Sequence, residues 1–257
     1  MKKIFASLIS FSVCLTALSG CTIGVDEKES TIENVITTKQ TVLSSDNTSS
    51  IKQTEITTEN STIVTTTHEE VQSTAKPVIY LYPENEIDVS IKLFYGGTLT
   101  CTYPQYDEGW NVTARPDGTL IDRSTGKEYS YLFWEGVTDV EYDMSRGFCV
   151  RGEDTANFFQ EILAKIGLTP REYNEFIVYW LPKMQENEYN LVSFQYEAYT
   201  ANAALDIVPA PDSVLRVFMA YIPLSEATEI EPQEFDAFVR KGFTVVEWGG
   251  TEVKVQK

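Results

Sequence analysis

The chain has 257 residues and a formal net charge of −18 at pH 7, with 38 Asp and Glu against 20 Lys and Arg. This acidic excess argues against nucleic-acid binding, which needs a basic surface, and against electrostatic attachment to anionic lipid. The only histidine, His68, precedes the part that we expect to fold. His-dependent nucleophilic catalysis and imidazole-ligated zinc are therefore excluded there, and we expect no metal and no cofactor.

Residues 1–20 have the organisation of a secretory signal peptide. Lys2 and Lys3 precede an apolar run over residues 4–18, which is short for a transmembrane span. The run ends in Leu18-Ser19-Gly20-Cys21, which resembles the lipobox of bacterial lipoproteins. The resemblance implies cleavage before Cys21, a diacylglyceryl group on its sulfur, and retention on the extracytoplasmic face of a membrane. The alternative is an ordinary secretory signal followed by a chance cysteine.

Residues 21–75 form the predicted lipidated cysteine and tether. The segment is rich in Ser and Thr and has no aromatic residue after Cys21. Such a composition buries too little apolar surface to offset the entropy of ordering, so we predict disordered chain. As a flexible coil it spans about 40 Å on average. Residues 76–257 are the predicted globular domain, of ordinary size for one core.

The first half of this region predicts strands. Apolar and polar residues alternate over 87–95, 99–103 and 110–115, the period of half-buried strands. A short apolar run at 77–82 precedes them. Residues 119–122 and 128–135 are expected to pair across Ser124-Thr125-Gly126. The expected arrangement is an antiparallel meander.

The second half predicts a mixture of elements. A helix is expected from Asp154 or Thr155 to Gly167, and a short second helix from the capping box at Thr169, ending before residues 176–181. Strands are expected over 193–199 and 213–221, a third helix over 232–241, and a final hairpin over 243–255 turning at Gly249-Gly250. The fold class is α+β, mainly antiparallel, with about three short helices.

Several long aromatic motifs resemble a widespread family of bacterial surface proteins and fungal proteins. They are KPVIYLYP at 76–83, YLFWEG at 131–136, FIVYWLP at 176–182, and the stretch from PAPD at 209–212 to Met219. The resemblance covers most of residues 76–250 and implies one coherent domain. No activity is established for that family, so it assigns no functional residue.

Arg216 is predicted to be a buried charge, because it shares a strand face with Val214 and Phe218. A buried charge needs a partner. The candidate carboxylates are Glu135, Glu197, Asp206 and Asp212. One interpretation is a structural ion pair or a strand end that reaches water. The other is an Arg clamp for an acidic or polar ligand, with Asp212 and Trp134 as further binding residues.

Two carboxylates could also perform glycoside hydrolysis, with their separation deciding the stereochemistry. Glu135 with Glu175 or Glu197 is the combination to test, although acidic residues are abundant and their spacing does not bring them together. The four tryptophans, Trp110, Trp134, Trp180 and Trp248, are either stacking platforms for sugars or core residues.

Cys101 and Cys149 are the cysteines left in the folded part, and an extracytoplasmic compartment permits a disulfide. Such a bond would contribute about 4 kcal/mol in the chain-entropy treatment. The alternative is two buried free thiols.

These observations give one leading hypothesis and two rivals. We expect a binding or interaction module without enzymatic activity, held to the membrane through Cys21, with a polysaccharide or protein ligand. The first rival is a carboxylate-dependent glycoside hydrolase that acts on cell-wall or environmental polysaccharide. The second is a purely structural envelope protein.

Overall fold

Three strands lie in the range predicted to be a tether. The structure, a computed structural model, describes residues 38–43, 51–58, 61–68 and 72–254, with side chains from residue 73 onward. Strands β1 (Thr38–Leu43), β2 (Ile51–Thr58) and β3 (Ser61–His68) pair antiparallel in that order. The sequence predicts disordered chain at these positions, but their many Thr, Ile and Val residues favour extended backbone. The predicted signal peptide and the predicted lipid-bearing Cys21 lie outside the described residues.

The strands predicted in the first half of the folded region are present, except that the strand predicted over 128–135 is divided into two strands of different sheets. They are β4 (Gln72–Tyr82), β5 (Ile87–Tyr95), β6 (Thr98–Tyr103), β7 (Trp110–Ala114), β8 (Leu120–Asp122), β9 (Glu128–Tyr129) and β10 (Leu132–Thr138). Strand β4 begins before the boundary predicted at residue 76. β5, β7, β8 and β9 form an antiparallel meander, whereas β6 leaves after Gly96-Gly97 and pairs with β10 in a different sheet.

The second half mixes helices and strands. After β11 (Phe148–Arg151) and a 3₁₀ turn (Gly152–Asp154), the elements are α1 (Thr155–Ile166), α2 (Pro170–Met184), β12 (Tyr189–Phe194), α3 (Glu197–Asn202), β13 (Ala203–Val208), β14 (Ser213–Leu224) and β15 (Thr244–Glu252). The α+β class, mainly antiparallel with three helices, is confirmed.

Two sheets and a pair of helices form three layers around two cores. The seven-stranded sheet has the order β11-β12-β14-β15-β4-β10-β6, and the five-stranded sheet has the order β13-β5-β7-β8-β9. β14 and β15 run parallel at the centre of the larger sheet. Helices α1 and α2 pack on one face of that sheet, and the five-stranded sheet covers the other face.

Strand β4 shows why a sheet covered on both faces needs a continuous apolar run. Val78 and Tyr80 pack toward the helices, while Ile79 and Leu81 pack toward the smaller sheet. All four side chains are buried. Alternate side chains leave a strand on opposite faces, so both sets must be apolar here.

The second helix is longer than predicted. The capping box is present, with Glu172 accepting from the Thr169 backbone N–H at 2.7 Å, but α2 continues through residues 176–181 to Met184. Phe176, Trp180 and Met184 fall on one helical face and are buried in the core against α1 and the sheet. That burial outweighs the weak strand preference of β-branched and aromatic residues.

Residues 232–241, here called the strap, do not form the predicted helix. Tertiary contacts hold the segment: the Gln233 side chain bonds both the N–H and the C=O of Phe194, and Arg240 contacts Glu172 at 2.6 Å. Phe235 packs against the helix-side core from this irregular backbone. These bonds replace the local hydrogen bonds of a helix.

Two further predictions in the second half are wrong. Residues 197–202 form α3 rather than the end of a strand. Residues 244–252 form one strand rather than a hairpin, because Gly249 and Gly250 are sites of close approach and not a turn. A Cβ at residue 250 would lie 2.7 Å from the Trp180 ring and 2.6 Å from the Met219 carbonyl oxygen.

Candidate functional site

The parallel pairing of β14 with β15 places Arg216 directly opposite Glu247. Arg216 Nε lies 2.6 Å from Glu247 Oε2, and their side chains are only 7% and 0% exposed. The other carboxylate oxygen of Glu247 accepts from the indole N–H of Trp134 at 3.2 Å. The prediction that a carboxylate holds a buried Arg216 is confirmed.

The predicted partners of Arg216 are wrong, because Glu247 takes the place of Glu135, Glu197, Asp206 and Asp212. The local sequence pattern placed Glu247 in an apolar strand, but it could not show that this strand lies beside β14. A buried Glu within an otherwise apolar strand was the available signal. Asp212 instead accepts from the backbone N–H of Phe243 at 2.7 Å.

Tyr199 covers the guanidinium of Arg216. Its ring centroid lies 4.8 Å from Arg216 Cζ, and the ring stacks on Phe218 at 4.1 Å. Burial, and after it the charge of Glu247, raises the pKa of Tyr199 well above its usual value. The Tyr199 hydroxyl and Arg216 Nη2 are buried, and neither has a hydrogen-bond partner among the residues that the structure describes. A buried polar group without a partner is costly, so this cluster is unusual for a purely structural core.

A cleft of about 730 Å³ opens beside the outer edge of β14. Its lining includes residues 213–218 of β14, residues 234–239 of the strap, and Tyr196 and Glu197 before and within α3. Three lining side chains, Tyr196, Val214 and Val239, are large and exposed, at 58%, 42% and 62%. We call this feature the β14 cleft. Its size and mostly apolar lining are typical of ligand sites.

A second cluster surrounds Lys76, whose backbone has φ +57°. A non-glycine residue in this left-handed region is uncommon and is found preferentially at functional sites. The Lys76 backbone N–H donates to Glu135 Oε1 at 3.2 Å. Its ammonium lies over the rings of Tyr131, Phe133 and Tyr179, at 5.3, 5.4 and 5.8 Å from their centroids.

Two of the candidate catalytic carboxylates lie next to residues of this second cluster. A cavity of about 490 Å³ is lined by Lys76, Tyr131, Asn174, Glu175, Val178 and Tyr179. Glu175 accepts from the Tyr80 hydroxyl at 3.0 Å, and burial followed by the charge of Glu135 raises the pKa of Tyr179 to about 12. Glu197 lines the β14 cleft instead. The structure therefore places Glu135 and Glu175 beside residues of the same cluster, whereas Glu197 lies at the β14 cleft.

The tryptophans are core residues rather than exposed platforms. Trp110, Trp134, Trp180 and Trp248 are all at most 2% exposed. Trp134 supports the site as a donor to Glu247 and does not present its face to a ligand. The interpretation of Trp134 as a direct binding residue is wrong for this reason.

Cys101 and Cys149 are free thiols in the structure. They lie on β6 and β11, which are the opposite edge strands of the seven-stranded sheet. Six strand spacings separate the two edges, on the order of 29 Å along the sheet, whereas a disulfide needs Cα atoms within about 7 Å. Cys101 is exposed, so the alternative of two buried thiols is also wrong for that residue.

No protein-family model, no curated protein and no solved structure matches this chain. Among the described helices, none is long and apolar enough to cross a membrane. Within the described part of the chain, no three His, Cys, Asp or Glu residues are grouped in a way that could hold a metal ion.

Proposed function

We propose that the protein is a binding module held outside the cytoplasm by a lipid on Cys21, and that its ligand occupies the β14 cleft. The observation that carries the proposal is this cleft, which is an apolar recess beside a strand edge. The buried Arg216 lies at its base, and the Nη2 atom of Arg216 has no hydrogen-bond partner in the described structure. A large apolar pocket with a few convergent polar groups is the usual form of a ligand site.

The chemistry of the cleft supports binding rather than turnover. Glu247 is fully engaged by Arg216 and Trp134, so it is not free to act as an acid or a base. The phenol of Tyr199 is protonated at neutral pH, as an ordinary tyrosine is, and burial raises its pKa further. The lining also carries the exposed carboxylates Glu197, Glu234 and Asp236, which we expect to bind a ligand through their charge.

The location rests on the sequence. The lipobox-like Leu18-Ser19-Gly20-Cys21 supplies the anchor, and residues 22–75 supply length between the membrane and the folded region. Several acyl chains on one residue hold a protein to a bilayer durably, since each buried methylene contributes about 0.8 kcal/mol. A module placed in this way meets ligands of the envelope or the surroundings.

A pair of matched variants tests the proposal. Val239 and Val178 are both exposed valines, at 62% and 74%, and they line the β14 cleft and the Lys76 cavity respectively. The full chain is screened against peptide, glycan and peptidoglycan ligands with simultaneous detection of turnover. We expect binding without turnover, at least about tenfold weaker in Val239→Lys and unchanged in Val178→Lys. Binding that responds only to Val178→Lys contradicts the proposal.

A second candidate function is glycoside hydrolysis at the Lys76 cavity. The observation that favours it is that Glu175 lines this cavity while Glu135 accepts from the backbone N–H of Lys76, another lining residue with a left-handed backbone. A pair of carboxylates is the machinery of this reaction. The same screen tests this candidate: turnover that disappears in Glu135→Gln and in Glu175→Gln, but persists in Val239→Lys, supports the hydrolase.

A further inference from the structure

We infer that the ligand of the β14 cleft is an extended, positively charged peptide segment of a partner protein, which adds to β14 as a new strand. This inference rests on the proposed function and deepens it by naming the ligand class and the mode of binding. Strand addition gives affinity through backbone hydrogen bonds and specificity through pockets for alternate side chains.

Only half of the outer edge of β14 is paired with a neighbouring strand. Its neighbour β12 pairs with residues Met219–Leu224, starting at the Phe194–Met219 pair. On the other side, β15 pairs with the whole stretch from Ser213 to Tyr221. Residues 213–218 therefore have a strand on one side and the cleft on the other.

The direction of the backbone groups follows from one hydrogen bond. The C=O of Phe218 accepts from the N–H of Gln195, at 2.8 Å, so the polar groups of Phe218 point away from β15. Successive residues of a strand direct these groups to opposite sides. The N–H and C=O of Arg216 and Val214 consequently point into the cleft, and they have no backbone partner among the described residues.

The strap runs along this edge without pairing with it. One end is fixed where Gln233 bonds the backbone of Phe194, and the other where the backbone N–H of Lys241 donates to Ser213 Oγ at 3.1 Å. The strap is thus antiparallel to β14. Between these two fixed points no backbone hydrogen bond joins it to residues 214–218 in the described structure. The gap is the β14 cleft, and its volume of about 730 Å³ lies in the range of ligand sites.

The charges around the cleft favour a positively charged ligand. Glu197, Glu234 and Asp236 are exposed lining residues, and none has an ion-pair partner among the described residues. Lys241 is the exposed cation of the lining, while Arg216 is already paired with Glu247. Lysine or arginine side chains on a peptide would complement this rim, and the net charge of −18 would speed their approach.

The same charges disfavour occupants from this chain itself. Residues 21–75 carry nine Asp and Glu against three Lys, so the tether would be repelled by the acidic rim. A second copy of the chain brings a further net charge of −18. A basic segment of a different protein is the occupant that the electrostatics favour.

The experiment measures binding of fluorescent eight-residue peptides to the full chain by anisotropy. The first probe alternates Lys and Val, the second alternates Glu and Val, and the third repeats the first with every second amide N-methylated. We expect the Lys peptide to bind, and the Glu and N-methylated peptides to bind at least about tenfold more weakly, since charge and backbone donors are removed in turn.

A pair of variants at one position tests the backbone contact on the protein side. Val214→Pro removes an N–H that faces the cleft and leaves the β15 ladder intact, because proline is tolerated at a strand edge. Val214→Thr retains the N–H and measures what a side-chain change alone does at this lining position. We expect Val214→Pro to bind at least about tenfold more weakly than Val214→Thr, with circular dichroism and thermal unfolding showing that both variants fold.

Three outcomes overturn the inference in distinguishable ways. If the N-methylated peptide and Val214→Pro bind as well as their controls while Val239→Lys still abolishes binding, strand addition is wrong but the β14 cleft remains the site. If the binding of no peptide, glycan or peptidoglycan responds to Val239→Lys, the proposed function fails together with the inference. Concentration-dependent dimerisation abolished by Val214→Pro would assign the edge to a second copy and contradict the basic-peptide occupant.

Discussion

Arg216 and Glu247 lie opposite each other on parallel strands and bury a charge pair under the β14 cleft, with Nε and Oε2 2.6 Å apart. The pair is 31 residues apart in sequence and joins two central strands of the larger sheet. A change at this pair should therefore affect both the base of the proposed site and the packing of the larger sheet.

Removing one charge of this pair should destabilise the protein strongly. Glu247→Gln keeps an acceptor for the Trp134 indole but leaves Arg216 without a countercharge, which costs about 3–5 kcal/mol at a buried site. Urea unfolding measures the loss. The double variant Arg216→Met/Glu247→Gln should recover at least about half of it, since no buried charge remains. A cost below about 1 kcal/mol for Glu247→Gln would contradict this assignment.

Local pattern predicted the strands of the first half because each one alternates or runs apolar within a few residues. It also predicted α1 and the start of α2, where capping residues are explicit. The conformation of the remaining segments depends on hydrogen bonds between residues that are distant in sequence. The strap is held by Gln233 and Arg240, whose partners lie 39 and 68 residues earlier in the chain, so no local signal could distinguish it from a helix.

The sequence likewise predicted only part of the candidate site. The sequence indicated that Arg216 is buried and needs a carboxylate, because charge on an apolar strand face is costly. It could not give the strand register that selects Glu247. The open edge of β14 was also beyond prediction, since it depends on where β12 stops and not on the composition of β14.

Gly250 should not tolerate a side chain. A Cβ there would lie 2.7 Å from the Trp180 ring and 2.6 Å from a backbone carbonyl oxygen, so Gly250→Ala should lower the free energy of unfolding by about 1–3 kcal/mol. Gly126→Asn is the control. Residue 126 has φ +68° but open space around it, and asparagine accepts this conformation readily. Equal losses for the two variants in urea unfolding would show that Gly250 is not a packing site.

The protein should lose stability at alkaline pH through its buried tyrosines. The pKa of Tyr179 is raised to about 12 in the folded state, first by burial and then by Glu135, so the folded form binds more protons than the unfolded form between pH 10 and 12. The contribution of Tyr179 to stability is fully present below pH 10 and is lost as the pH rises toward 12. A fully shielded group would lose about 1.4 kcal/mol per pH unit, and solvent screening makes the loss smaller for the half-buried Tyr179. Tyr179→Phe should reduce that slope, and Glu135→Gln should reduce it partly. Unfolding free energies measured from pH 8 to 12 test both, and an unchanged slope in Tyr179→Phe would contradict the expectation.

The two cysteines of the folded region should be reactive thiols under native conditions. Cys101 is exposed and should react with a thiol reagent at once, while the partly buried Cys149 should react more slowly. Mass spectrometry without reduction counts the labels. Cys101→Ser should remove the fast phase and leave the slow one. Absence of label in the unreduced, unfolded protein would instead establish a disulfide, which the opposite sheet edges do not permit.

Cys21 should decide whether the protein stays with the membrane. Cys21→Ser removes the sulfur that would carry the lipid, and we expect the variant to move from the membrane fraction to the soluble fraction and to lose labelling by radioactive palmitate. Cys14→Ser, within the predicted signal peptide, is the matched control and should change neither property. The reason is energetic: the chain has a net charge of −18 and therefore no electrostatic attraction to anionic lipid, so attachment depends on the acyl chains alone. Membrane retention of Cys21→Ser would show that another part of the chain provides the attachment, and the extracytoplasmic location would then lose its support.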